Sequence, residues 1–252
     1  MTFPDASMGQ KPPLFSVVTV CYNAEKFLPV TLASLAEQTF RDYEFIVIDG
    51  ASTDATLDIL GRHEKMISSL VSEADSGIYE AMNKGIAKAK GQWLYFLNAG
   101  DVFYDSNVLE TVATHVSGAP DALSLVYGDV IYRQVEGAAR QVSFAHLSKR
   151  NLVFEHLCHQ AVFASRAAFA KFGAFDLRLK YNADFDWLLK VFKFGDVAHM
   201  DTVVAFYDAD GLTAKRREAV KAERVEVVGK YIFMPTLMLK LYRGLSRFTK
   251  RE

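Results

Sequence analysis

The sequence predicts an α/β protein, a mostly parallel β-sheet flanked by helices and followed by an amphipathic helical tail. Three observations predict it. Apolar, β-branched runs alternate with segments of helical period through the first hundred residues. Each apolar run stops at a polar, turn-forming cluster. The chain has 252 residues, half of them hydrophobic, which is enough for one large core.

The elements follow in order. Residues 1–13 are short, polar and proline-containing, and read as a loose arm; they have no apolar stretch of the kind a signal peptide carries. Phe15 to Cys21 reads as a buried strand ending in the turn Tyr22-Asn23-Ala24. Phe27 to Gln38 shows helical spacing. Tyr43 to Asp49 is the second strand, and Thr53 or Asp54 suits the cap of a helix running to about Met66. A short strand lies near Ser69 to Glu73. Ile78, Met82, Ile86 and Ala89 mark an amphipathic helix ended by Gly91, and Gln92 to Leu97 is a fourth strand.

Such strand–helix–strand units are right-handed and parallel, and ligands bind beyond the carboxyl ends of their strands. The polar clusters Tyr22-Asn23, Asp49 to Asp54, Glu73 to Ser76 and Asn98 to Asp101 all fall on that edge. The second half is less regular. It holds a strand within Leu125 to Tyr132, an exposed hairpin loop at Glu136 to Gln141, and a helix within Lys180 to Phe194. The expected organisation is one domain over 14–214, in two halves at 14–101 and 102–214, with a tail over 215–252.

Acidic and basic residues number 30 and 29, so no basic field points to nucleic acid. The tail differs, with eleven basic against four acidic residues from Lys215 onward. From Tyr231 to Arg247 apolar residues recur every three or four positions with a basic polar face. That pattern suits either an interfacial helix on anionic lipid or a helix docked on the domain. Two cysteines, Cys21 and Cys158, read as reduced thiols of a cytoplasmic protein, and no apolar run is long enough to span a bilayer.

Val18-Thr-Val-Cys-Tyr-Asn23, Val47-Ile-Asp-Gly-Ala-Ser-Thr-Asp54, Leu97-Asn-Ala-Gly-Asp101 and Ala183-Asp-Phe-Asp-Trp187 together resemble family-two inverting glycosyltransferases of GT-A fold. Ser76-Gly-Ile-Tyr-Glu-Ala-Met-Asn-Lys-Gly85 is similar to a subgroup that acts in bacterial surface-polysaccharide assembly. The ordered set covers roughly Phe15 to Thr213. The resemblance implies nucleotide contacts for Thr19, Tyr22, Asn23, Asp49, Ser52 and Asp54. It implies a donor sugar and diphosphate site at Asp75, Asn83, Lys84, Asn98 and Thr213, and Asp184 as general base. Asp101 becomes the ligand of a Mn2+ or Mg2+ ion, and His159 and Asp186 line the acceptor side. Charged acceptors make strong hydrogen bonds to ribose and base, and hard oxygens suit these cations.

The sequence departs from the family's acidic pattern in two places. Asn98 and Gly100 stand where carboxylates are common, and Ala183 replaces the Glu that often precedes the base. Partners implied by the resemblance are a nucleotide-sugar donor, a glycan or lipid-linked acceptor, and a peripheral anionic membrane at the inner face of the plasma membrane. A sugar nucleotidylyltransferase or a dinucleotide dehydrogenase would want a glycine-rich loop after the first strand, and Tyr22 to Lys26 has no glycine. A catalytically inactive protein of the same fold stays open because the acidic motif is thin.

Overall fold

A computed structural model describes residues 11–133, 139–155, 157–208 and 216–231. Its centre is a nine-stranded sheet. Strand β1 (Phe15–Cys21) is buried along its whole length, as its unbroken apolar sequence requires. It pairs in parallel with β2 (Tyr43–Asp49) on one side and β4 (Trp93–Phe96) on the other, and β3 (Ser69–Ser72) joins β2 in parallel. The register sets Cys21 opposite Asp49, so both strands end at one level.

Antiparallel pairing begins in the second half. β8 (Val162–Ser165) runs antiparallel between β4 and β6 (Leu123–Arg133). β6 pairs in parallel with β9 (Asp196–Asp208), to which β5 (Val102–Phe103) is antiparallel. The hairpin expected around Glu136 to Gln141 appears as β7 (Arg140–Val142) antiparallel to β6, with 134–138 outside the described residues.

Alternation along the strands supplies two apolar layers. Val18, Val20, Ile46 and Ile48 face one layer, covered by α3 (Ile78–Lys88), α5 (Arg166–Phe172) and α6 (Ala183–Phe194). Val17, Cys21, Phe45 and Val47 face the other, covered by α1 (Leu28–Ala36), α2 (Thr56–Arg62) and α4 (Val108–Val116). Helix α3 lies so close to the sheet that a Cβ on Gly85 would overlap Val18. The helix ends at Lys88, before Gly91. Gly91 answers a different need, because its Cβ would sit 2.5 Å from the backbone nitrogen of Ser16.

Helix α7 (Arg217–Tyr231) docks on the domain and buries Val227 and Val228. Glu223 on α7 accepts the backbone N–H groups of Lys180, Tyr181 and Asn182 at 2.7–2.8 Å, a carboxylate placed at the N-terminus of α6. The first part of the expected tail is thus a domain helix; 232–252 lies outside the described residues. Both cysteines are free and buried. No helix among the described residues is long and apolar enough to cross a membrane.

Candidate donor and acceptor site

The loops after β1 and β2 are braced against each other. Two non-glycine residues there, Asn23 (φ 48°) and Ala51 (φ 61°), adopt left-handed backbone, a strain that needs surrounding bonds to hold it. The Asn23 backbone N–H donates to Ser52 Oγ at 2.8 Å, and Asn23 Oδ1 accepts from Thr53 N at 2.9 Å. Asp49 is wholly buried beneath this loop. Its Oδ2 accepts from Ser52 N at 3.0 Å and from Ser72 Oγ at 2.6 Å, and its Oδ1 takes a short bond from Ser52 Oγ.

Of the six nucleotide candidates, two therefore lie under the surface. Thr19 is also wholly buried and donates to the Leu97 carbonyl. Asp54 is tied to Thr56 N at 3.0 Å and Glu25 N at 3.1 Å, while the N-cap of α2 is Ala55 and not the Thr53 or Asp54 the sequence suggests. These bonds, Thr56 foremost among the lowering ones, outweigh desolvation and hold the Asp54 carboxyl below its ordinary value. Tyr22 is 64% exposed and is free to meet a flat base. Gly50 lies between Tyr22 and Asp75, and a Cβ there would sit 2.7 Å from Asp75 Oδ2.

On the diphosphate side, Asp75 Oδ1 accepts from Gly77 N at 2.9 Å, and Gly77 (φ 141°) turns the chain into α3. Asn83 and Lys84 serve the scaffold. Asn83 pairs both ways with the backbone of Phe175, at 2.9 Å each. Lys84 Nζ reaches Glu73 Oε1 at 3.0 Å, Glu80 Oε1 at 3.4 Å and the Ala74 carbonyl at 3.0 Å. The Glu73 bond, ahead of the opposing desolvation, raises the Lys84 ammonium above its usual value.

Asp101 and Asp184 come together around His159. His159 Nδ1 is 3.5 Å from Asp184 Oδ2, and its Nε2 is 3.9 Å from Asp101 Oδ2 and 3.0 Å from Asn98 Nδ2. Desolvation pushes the His159 imidazolium down, but the Asp184 bond and both carboxylate charges outweigh it, so its pKa is raised. Gln160 Nε2 donates to Asp101 Oδ1 at 3.2 Å, and Asn98 N donates to Asp101 Oδ2 at 3.2 Å. Tyr79 Oη donates to Asp184 Oδ1 at 2.8 Å. Burial first, then the Asp184 charge, drives the Tyr79 phenol far above its ordinary range, so it stays a donor.

Asp186 departs from the acceptor-side expectation. It is 1% exposed and faces α7, pairing with Lys190 at 2.8 Å and Lys230 at 3.2 Å and accepting from Tyr231 Oη at 3.2 Å. Two positions along a helix turn a side chain through about 200°, which separates it from Asp184. Thr213 lies outside the described residues. Tyr79 was not singled out from the sequence. Tyr79 stands inside the Ser76 to Gly85 motif, one helical turn before Asn83, and that shared face was the available signal.

Among the described residues, no group of three or more His, Cys, Asp or Glu side chains is placed to hold a metal ion. Two buried amide oxygens, Asn98 Oδ1 and Gln160 Oε1, have no hydrogen-bond partner, and both residues bond Asp101. One carboxylate with two unmatched hard oxygens fits a divalent cation that draws its remaining ligands from a bound diphosphate.

Comparison with known proteins shows the family and the fold. A PGL/p-HBAD biosynthesis glycosyltransferase of Mycobacterium bovis is 38% identical over 211 residues, covering 79% of this chain and 78% of the relative. Among solved structures, S. aureus TarS 1-349 in complex with UDP-GlcNAc superposes with TM-score 0.70 at 18% identity, covering 90% of this chain and 70% of that one. The mannosyltransferase PcManGT from Pyrobaculum calidifontis, in complex with GDP-Man and Mn2+, gives TM-score 0.67 at 18% identity, covering 92% and 69%. The family model for glycosyl transferase family 2 matches residues 16–174, which contain both braced loops, Asp101 and His159, and the chain belongs to that family.

Proposed function

We propose that this glycosyltransferase moves a sugar from a nucleoside diphosphate donor to a hydroxyl of a glycan or lipid-linked acceptor with inversion, in surface-polysaccharide assembly at the inner face of the plasma membrane. The observation that carries this reading is the convergence of Asp101 and Asp184 on His159 at the carboxyl edge of the sheet. The donor stretches along that edge, its base against exposed Tyr22 and its diphosphate between the Asp75–Gly77 turn and Asp101.

The acceptor oxygen attacks the anomeric carbon, the bond to the diphosphate oxygen breaks with its electron pair, and Asp184 takes the acceptor proton. Tyr79 donates to Oδ1 and so fixes the orientation of that carboxylate. A single base and a single displacement give inversion. A Mn2+ or Mg2+ ion held by Asp101 with Asn98 Oδ1 and Gln160 Oε1 would neutralise charge on the leaving diphosphate. His159, 3.5 Å from Asp184, holds the base carboxylate from the other side.

Thermal melting against UDP, GDP, dTDP and CDP, with and without manganese, tests the reading. One nucleotide should stabilise only with metal, by about 2.7 kcal/mol at 100 times its dissociation constant, and Asp101→Ala should abolish the shift. No shift with any nucleotide would instead support a non-catalytic partner that keeps the fold, the reading the thin acidic motif favours.

A further inference from the structure

On the flank of α6 away from the cleft lies a pocket of about 140 Å³, lined by Lys149, Arg150, Val153, Leu189, Lys193 and Tyr231. Asp184 and Lys193 are nine positions apart, about two and a half helical turns, so they point to opposite sides of α6. The pocket is therefore separate from the donor and acceptor site.

Its chemistry is amphipathic. Three exposed cations meet over the buried aliphatic side chains of Val153 and Leu189. Among the described residues, no carboxylate forms an ion pair with Lys149, Arg150 or Lys193. The nearby Asp186 is already matched to Lys190 and Lys230, and Glu155 lies 3.9 Å from His146. The flank thus keeps a surplus of positive charge. Next to the pocket residues in sequence stand two exposed aromatics, Phe154 (50%) and Phe194 (60%). Lys193 Nζ lies 5.3 Å from the Phe194 ring centroid.

We infer that this pocket binds the phosphate of an anionic lipid headgroup and sets this flank against a membrane surface. Converging cations that pair with no carboxylate among the described residues suit a phosphate oxyanion. An apolar floor and exposed phenylalanines suit the boundary between headgroups and acyl chains, and a soluble phosphate has no use for them. The chain leaves the pocket at Tyr231, and its sequence continues with Lys240, Arg243 and Arg247 among leucines and phenylalanines, the same chemistry.

Co-sedimentation of the full chain with phosphatidylcholine vesicles, with and without phosphatidylglycerol, tests this and does not depend on the transfer reaction. Binding should require phosphatidylglycerol. Each cation near the surface is worth about fivefold, so Lys149→Ala, Arg150→Ala and Lys193→Ala together should weaken it about a hundredfold. Lys149→Arg with Lys193→Arg should keep it, and Phe194→Ser should weaken it with the charges in place. Nucleotide-induced melting of each variant reports that the fold and cleft are intact. Wild-type affinity in the triple alanine variant would overturn the proposal. So would failure of the wild type to bind phosphatidylglycerol vesicles, whether or not inorganic phosphate or glycerol phosphate binds the pocket.

Discussion

Tyr79→Phe removes one hydroxyl and nothing else from the contact between α3 and α6. The lost bond, 2.8 Å to Asp184 Oδ1, is one that only a carboxylate oxygen accepts fully. Hydrogen bonds to charged groups contribute about 1.5–3 kcal/mol, and about 1.4 kcal/mol corresponds to one pKa unit. Without the bond the Asp184 carboxylate loses that stabilisation. The acid limb of kcat should move toward higher pH. The plateau should fall about tenfold, because the carboxylate loses a contact that aims it. Release of nucleoside diphosphate from the sugar nucleotide chosen by the melting panel, followed from pH 5 to pH 9, reads both quantities. An acid limb that stays in place with kcat within twofold of wild type would refute the orienting role of Tyr79. Loss of turnover in Asp184→Asn keeps that result separate from failure of the base assignment itself.

Two further outcomes follow from side chains already described. Asp184→Asn should lower turnover by ~10²–10⁴-fold and leave the nucleotide-induced melting shift in place, whereas Asp186→Asn should cost ~2 kcal/mol of stability in urea unfolding and keep turnover per folded molecule. Burial pushes the Asp129 carboxyl up, but bonds from His199 at 2.8 Å, Phe144 N at 3.0 Å and Gln141 at 3.2 Å outweigh it and hold it below its ordinary value. A depressed carboxyl stabilises the fold above its unfolded value of about 4 and loses that contribution as pH falls toward its folded value. Urea unfolding should therefore weaken below about pH 4, and Asp129→Asn should lower stability at pH 7 and flatten that acid loss.

The first half of the fold was legible because its strands are unbroken apolar runs. The bounds of β1 and β2 agree with the sequence reading at every residue. Strands β5 and β7 are two and three residues long, and β8 four, too short to show a period, so tertiary pairing alone defines them. The long β9 begins Asp196-Val-Ala-His-Met-Asp-Thr, a mixed run without clean alternation. At the site, sequence could name carboxylates but could not say which way they face. Asp184 and Asp186 look alike in Ala183 to Trp187, yet one meets Tyr79 and the other meets Lys190 and Lys230. Asp49 and Thr19 likewise read as ligand contacts, because burial beneath a loop leaves no trace in residue type.

Strand β8 joins the two halves of the cleft, with β4 on one side and β6 on the other. Among the described residues, the segments on either side of the cleft therefore share one continuous hydrogen-bonded floor. Asp101 follows β4 on that floor, and Asp184 stands on α6, which packs against the same sheet. Loops above the sheet can then move to admit substrates while that floor keeps its pairing. New acceptors could then be accommodated by exchanging rim segments, with the reaction geometry inherited unchanged.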